Sequence, residues 1–297
     1  MIIEVLPTNG PPGCRACGSE RVARAMHVSG YDLMKCHVCG SLSTAAQMPP
    51  AQARSFYGPA YFRGGDYADY VGDEAVIKRN FSLFARRLRQ WLPRGRMLEI
   101  GCAYGFFLDV ACQTWDVEGI DIAEQAVTAA SLRHGRRVRS GDVLASSHVA
   151  GSYDWVVAWD VIEHLDQPRA FLTRAFELLR PGGLLALTTG DVGSPAARIA
   201  GRRWRLLTPP SHLTYFTRAG QQRAMGSAGF SVPSISTAGY DRSFRFAFFR
   251  LLGAERFERL APVGSRRRRC LETAHLYLNL GDVMFVVAQK PGAVISP

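Results

Sequence analysis

From residue 96 to residue 189 short apolar runs alternate with stretches of helical periodicity, and no other feature limits the possible folds so tightly. Residues 96–100, 117–122, 138–143, 153–159 and 184–189 read as strands, and residues 104–114, 123–134 and 168–179 as the helices between them. Consecutive strands joined through helices close as crossover units, so the pattern predicts an α/β fold built on a parallel sheet. Residues 73–92 read as a preceding helix. Val76, Ile77, Phe81, Phe84, Leu88, Trp91 and Leu92 fall at helical spacing there, and Pro93 ends it. Residues 230–237 and 283–288 supply two further strands.

The first of these strands runs into Glu99-Ile100-Gly101-Cys102-Ala103-Tyr104-Gly105 and then a helix. A strand, a glycine turn and a helix start form a nucleotide cradle, because the first helical amides point outward unpaired. Gly101 lets the chain turn sharply, and Gly105 lets the helix start press close to a ligand. The next strand ends at Asp121, about twenty residues on, where a carboxylate can accept both ribose hydroxyls. The third is followed by Gly141-Asp142-Val143, where a second carboxylate can accept from an adenine amino group or cap a turn. A dinucleotide site wants three glycines for its pyrophosphate, and Glu99 would repel that group. A carboxylate there suits a cofactor with a cationic amino-acid end.

In order, the segment 99–105, Gly119-Ile120-Asp121, Gly141-Asp142-Val143, the segment 153–165 and Leu179-Arg180-Pro181-Gly182-Gly183 resemble the successive motifs of class I S-adenosylmethionine (SAM)-dependent methyltransferases. The resemblance covers about residues 75–290. It implies a doubly wound, Rossmann-like sheet of seven strands, mostly parallel with the last antiparallel, and SAM as the cofactor. It places Glu99, Gly101, Ala103 and Gly105 at the methionine end, Asp121 at the ribose, and Asp142 and Val143 at the adenine. Tyr104 and Ile122 join the cofactor-binding set. Asp160 would face the methionine amino group or the acceptor. Ala103 stands where the family more often has glycine.

Cys14, Cys17, Cys36 and Cys39 form two Cys-x2-Cys pairs eighteen residues apart, each followed by glycine. This is the layout of two zinc knuckles presenting four thiolates to one tetrahedral ion. Four thiolates leave no open position, so the zinc is expected to be structural. The alternative, four reduced cysteines in a small core, leaves a module too short to hold itself together. His37 reads as a surface residue. Cys102, Cys112 and Cys270 are scattered, and an odd count argues against a disulfide framework.

A zinc ribbon before such a methyltransferase domain resembles two families: sugar methyltransferases of antibiotic and surface-polysaccharide clusters, and certain ribosomal RNA methyltransferases. The segment 56–62, rich in Phe and Tyr, resembles the stretch after the ribbon in the first. The chain is shorter than full-length sugar C-methyltransferases, which points to O-methylation. On the acceptor side, His212 lies in a segment, 209–217, that resembles the acceptor loop of the sugar enzymes. It is the expected general base. His164, after the fourth strand, is the alternative base or a packing residue. Tyr215, Tyr61 and Asp191 are candidates to position the acceptor.

The expected function is methyl transfer to a hydroxyl of a sugar or glycan, nucleotide-linked, lipid-linked or polysaccharide. The alternatives are an RNA methyltransferase gripping nucleic acid through ribbon and arginines, a sugar C-methyltransferase or enzyme of another small molecule, and a SAM-binding scaffold. The net charge of +11 leaves these open, because an arginine-rich field attracts any anion. Much of it falls in residues 241–270. Residues 244–260 read as a basic, apolar helix, either packed over the sheet edge or lying on an anionic membrane surface. No run is long and apolar enough to span a bilayer, and the first residues lack a basic start, so a cytoplasmic protein is expected, with peripheral contact to the inner face of the membrane as its extension. The domain plan is a loose leader and ribbon over 1–47, a linker and helical segment over 48–92, and a methyltransferase domain over 93–297 with a helical insertion at about 241–280.

Overall fold

The structure is a computed structural model and describes residues 13–58, 60–62, 70–243, 254–262, 264–273 and 275–292. Its main sheet contains β4 (Arg96–Ile100), β5 (Asp116–Asp121), β6 (Val138–Ser140), β7 (Tyr153–Trp159), β8 (Leu179–Gly190), β10 (Ser231–Thr237) and β13 (Val283–Gln289). The strand order is β10-β13-β8-β7-β4-β5-β6. Neighbours from β8 to β6 are parallel, and β13 runs antiparallel to both β8 and β10. This is the α/β fold on a parallel sheet that the alternation predicts, in the doubly wound, seven-stranded form that the resemblance implies.

The central strands read as unbroken apolar runs because both faces are covered. Trp155, Val156, Val157 and Ala158 of β7 are all fully buried. Alternate residues serve opposite cores. Leu98, Val156, Leu185 and Met284 face α5 (Pro168–Leu178) and α7 (Arg218–Ser227) through Phe171, Leu172 and Met225. Met97, Trp155, Val157 and Phe285 face α2 (Glu74–Arg89) and α3 (Phe106–Ala111) through Phe84, Leu88 and Phe107. Pro168 opens α5 at a position where its missing N–H costs nothing.

Three local expectations change. The helix expected over 73–92 ends at Arg89, and Trp91, expected on its apolar face, is 42% exposed. The linker after the ribbon, where Pro49 and Pro50 would be expected to discourage regular structure, contains α1 (Pro50–Phe56), because a proline at the first helical position starts a helix rather than blocking it. The insertion at 241–280 is not wholly helical. Its helices, Ala254–Leu260 and Arg266–Thr273, come with a hairpin of β11 (Tyr240–Ser243) and β12 (His275–Leu278). Residues 244–253 of the basic helix candidate lie outside the described residues. No helix among the described residues is long and apolar enough to cross a membrane.

The cysteine module forms β1 (Val22–Val28), β2 (Tyr31–Cys36) and β3 (Leu42–Thr44), all antiparallel. A fourth strand, β9 (Thr214–Tyr215), comes from the segment after β8 and pairs with β3 through Leu42–Tyr215 and Ser43–Thr214. Cys14, Ala16, Cys36 and Cys39 are buried in the same apolar cluster as Phe171 and Phe216. The boundary expected at residue 47 thus separates two sheets that share packing. Arg15 pins them together. Its side chain is 6% exposed, and its guanidinium donates to Asp166 Oδ1 at 2.7 Å and to the Ala46 carbonyl at 2.6 Å. Replacing it with an apolar chain, Arg15→Met, leaves Asp166 Oδ1 only the Met48 amide at 3.4 Å and the Ala46 carbonyl only the Thr44 hydroxyl at 3.5 Å. Urea unfolding of the variant is expected to show a loss of about 3 kcal/mol; an unchanged midpoint would mean that this pair does not hold the ribbon in place.

Candidate active site

The carboxyl ends of β4, β5 and β7 open onto a cavity of about 150 Å³. Gly101, Ala103, Asp121, Ile122, Asp142, Val143, Asp160, Tyr61 and His164, nine of the residues singled out in the sequence, line it. Glu99, Tyr104, Gly105 and His212 do not; His212 packs behind His164. Gly101 has a left-handed φ of 79°, and a Cβ there would sit 2.4 Å from Val161 Cγ2. Ala103 is also left-handed, at φ 42°, which costs a non-glycine residue about 1 kcal/mol. Its amide donates to Asp121 Oδ2 at 2.8 Å, and Asp121 Oδ1 accepts from the Ala123 amide at 2.8 Å. Asp121 therefore stitches the loop to the end of β5, a structural duty its sequence position did not reveal. Burial pushes its carboxyl up, against the pull of these amides.

Asp142 takes the capping role weighed above: it accepts from the Leu144 amide at 2.9 Å while still lining the cavity. Asp160, at φ 52°, accepts from the Thr188 hydroxyl at 2.8 Å and the Tyr240 hydroxyl at 3.2 Å. Glu99 is 2% exposed, and its Oε2 has no hydrogen-bond partner among the described residues. Burial, with the charges of Asp121 and Asp109, pushes its carboxyl well above the usual range. Such a buried, unsatisfied carboxylate fits a cofactor carrying an ammonium group, and the left-handed Gly101 leaves room for the ligand where a Cβ would not.

Beyond this cradle lies an aromatic wall. Tyr57, Tyr61, Phe62 and Tyr70 line the cavity, and Tyr57 meets His164 edge-on at 5.8 Å between ring centroids. His164 and His212 cross at 85° with centroids 4.6 Å apart. His164 Nδ1–H donates to the Ser211 carbonyl at 2.8 Å, and His212 Nδ1–H donates to the Leu206 carbonyl at 2.9 Å. Burial and the neighbouring His164 push the His212 pKa well below its usual value, so the ring is neutral. Glu163 completes the group. It is 4% exposed, and burial with the charge of Asp160 pushes its carboxyl up to about 8.

Glu163 lies inside the 153–165 segment and is not among the residues expected at the site. Its signal was adjacency to His164 at a strand end. Tyr215 lies in β9, 6.0 Å from the His212 ring and outside the cavity lining. Asp191 is elsewhere: it pairs with Arg218 at 3.1 Å and lines a second cavity, of about 760 Å³, against the ribbon.

The four ribbon thiols converge. Cys14 and Cys39 sulfurs lie 3.6 Å apart, as do those of Cys17 and Cys36, and all four fall within 4.8 Å of one another. A tetrahedral zinc with bonds of about 2.3 Å needs sulfurs roughly 3.8 Å apart, so the set fits the ion. Burial and neighbouring thiols push Cys14 up, whereas the Cys14 S–H and the Ser41 hydroxyl hold Cys39 down, to about 4. His37 is exposed, away from the ligand set.

Strand order, cradle and carboxylates together define the class I methyltransferase fold. Residues 73–235 match the methyltransferase domain family, and the chain belongs to it: it is a SAM-dependent methyltransferase. It is 30% identical over 180 residues to a ubiquinone biosynthesis O-methyltransferase of Azorhizobium caulinodans, covering 56% of this chain and 70% of that protein. It is 33% identical over 106 residues to one of Xanthomonas campestris pv. campestris, covering 33% of this chain and 44% of that protein. The match thus spans less than half the length of the second relative. Among solved structures it is similar to a chain in the complex of the Haloferax volcanii Trm112 methyltransferase activator with a methyltransferase (TM-score 0.54, 15% identity, 78% of this chain and 96% of that one). It is also similar to the YcgJ protein of Bacillus subtilis (TM-score 0.52, 14% identity, 72% and 99%).

Gly101→Ala puts a methyl group against Val161 on a left-handed backbone. Calorimetric titration is expected to show SAM affinity reduced at least about 10-fold in a folded protein. Wild-type affinity in this variant would remove the loop from the cofactor site.

Proposed function

We propose that the chain transfers the methyl group of SAM to a hydroxyl of a small, ring-shaped acceptor. The observation that carries this reading is the meeting of Glu163 and His212 with His164, which lines the cofactor cavity beside an aromatic wall. Bound SAM supplies an electrophilic methyl on a sulfonium sulfur. Glu99 would take the cofactor's ammonium group, Gly101 and Ala103 the methionine backbone, Asp121 with Ile122 the ribose, and Asp142 with Val143 the adenine. Tyr104 and Gly105 hold the loop from behind, and Asp160 faces the acceptor end. A hydroxyl is a poor nucleophile until its proton is removed. Neutral His212, with Nδ1–H tied to a carbonyl, presents its lone pair on Nε2 and is the proton acceptor among the single side chains. Tyr57, edge-on to His164, and Tyr61, edge-on to Tyr57, line the cavity as surfaces on which a ring can stack.

Among hydroxyl acceptors we favour a sugar or glycan, supported by the ribbon and the aromatic segment 56–62. A non-sugar ring hydroxyl is the second reading, supported by relatives named for ubiquinone biosynthesis. An RNA acceptor draws less support, because Arg24 on the ribbon is spent on Asp32 at 2.9 Å. Zinc in the cysteine cluster would act at a distance, by holding β3 and hence β9.

Two experiments test this. With labelled SAM and fractionated extract, label is expected in a glycan fraction; label in an extractable ring-hydroxyl lipid would favour the second reading, and label in RNA would overturn both. With the acceptor identified, His212→Ala is expected to lower turnover about 100-fold or more with SAM affinity retained; near wild-type turnover would remove His212 from proton transfer.

A further inference from the structure

Glu163, His164 and His212 have a property that proton transfer alone does not require. One donor atom from each lies within 4.8 Å of the other two. Three donors on a first-row divalent ion, with bonds of about 2.1 Å, sit roughly 3–3.5 Å apart. A contraction on the order of 1 Å closes the set. Both imidazoles are already braced as metal-binding histidines are, with the second ring nitrogen donating to a backbone carbonyl: His164 to Ser211 at 2.8 Å and His212 to Leu206 at 2.9 Å. This fixes the neutral tautomer with its lone pair on Nε2. Glu163 Oε2 is buried and has no hydrogen-bond partner among the described residues. An unpaired buried carboxylate oxygen is costly, and a cation removes that cost.

We propose that these three residues bind one divalent first-row transition cation beside the acceptor end of the cavity, which His164 lines. The inference rests on the reading of this end as the acceptor site. Two imidazoles and one carboxylate suit Mn²⁺, Co²⁺ or Zn²⁺ better than Mg²⁺, which keeps to oxygen. Three protein ligands leave positions open for an acceptor hydroxyl, unlike the closed four-thiolate ribbon. In the loaded site His212 Nε2 is a ligand, and the hydroxyl loses its proton to solvent because the cation lowers its pKa. The new O–CH3 bond then forms as the S–CH3 bond breaks, and S-adenosylhomocysteine leaves neutral. The role of His212 as a base on its own describes the cation-free protein.

The test uses the full chain with its ribbon filled by zinc, titrated with Co²⁺ and followed by absorption. One further equivalent is expected to bind, giving weak ligand-field bands of nitrogen and oxygen ligation without the intense thiolate-to-cobalt band. Glu163→Gln and His212→Ala are each expected to weaken this binding roughly 100-fold, with zinc content and far-ultraviolet circular dichroism unchanged. No uptake of Co²⁺ or Mn²⁺ by the wild-type chain up to about 1 mM, a standard free energy near −4 kcal/mol, would overturn the proposal. So would wild-type affinity in Glu163→Gln. SAM affinity and methyl transfer are measured on the same cation-free sample. Undiminished transfer there overturns the cation's part in the reaction and leaves the O-methyltransferase reading, with His212 as base, standing; loss of SAM binding sinks that reading instead.

Discussion

One residue, Leu213, joins the three parts of this enzyme. Its N–H donates to the Glu163 carbonyl at 2.8 Å, and its own carbonyl accepts from the Thr44 amide at 2.9 Å. The Leu213 side chain is fully buried. On one side of this residue stands the end of β7, on the other the cysteine ribbon, and His212 comes just before it. A two-residue strand such as β9 has no stability of its own. It exists because β3 supplies a paired edge and Thr217 Oγ1 donates to the Cys39 carbonyl at 2.6 Å. The position of His212 therefore depends on the ribbon, and the ribbon, by its size, on what its thiols hold.

The chemistry of the site follows from an accumulation of buried carboxyl groups that are costly to ionise. Glu99 and Glu163 are almost fully buried, and Asp121 and Asp160 line the cavity between the strand ends. Such a cluster is costly in a low-dielectric interior unless positive charge arrives. A sulfonium cofactor with an ammonium group supplies it at one end. The strained, left-handed Ala103 and Asp160 line the same cavity, Ala103 fixed by the bond its amide donates to Asp121 and Asp160 by the bond it accepts from Thr188. Strain maintained in this way at a ligand site is a recurrent feature of functional loops.

Much of this was legible in the sequence, and the reasons differ by element. The residues of β4 and β7 agree with expectation at both ends, because a strand buried on both faces writes itself as an uninterrupted apolar run bounded by polar turns. The cysteine cluster was legible because knuckle spacing is local. Helix ends were less so: α3 is shorter than the periodicity suggested, since packing and turns set its limits. The pairing of β9 with β3 joins residues more than 170 apart and leaves no pattern in either segment. The β11–β12 hairpin was hidden for the same reason. Glu163 was in view but silent, because its burial and its meeting with His212 arise only in three dimensions.

The most direct measurement of the account is crystallography of the chain with S-adenosylhomocysteine, with anomalous data collected at the zinc edge. The account predicts the homocysteine end against the 99–105 loop, the nucleoside beside Asp121 and Asp142, and an anomalous peak among Cys14, Cys17, Cys36 and Cys39. A nucleoside bound away from those two carboxylates, or a ribbon without metal and detached from β9, would contradict it.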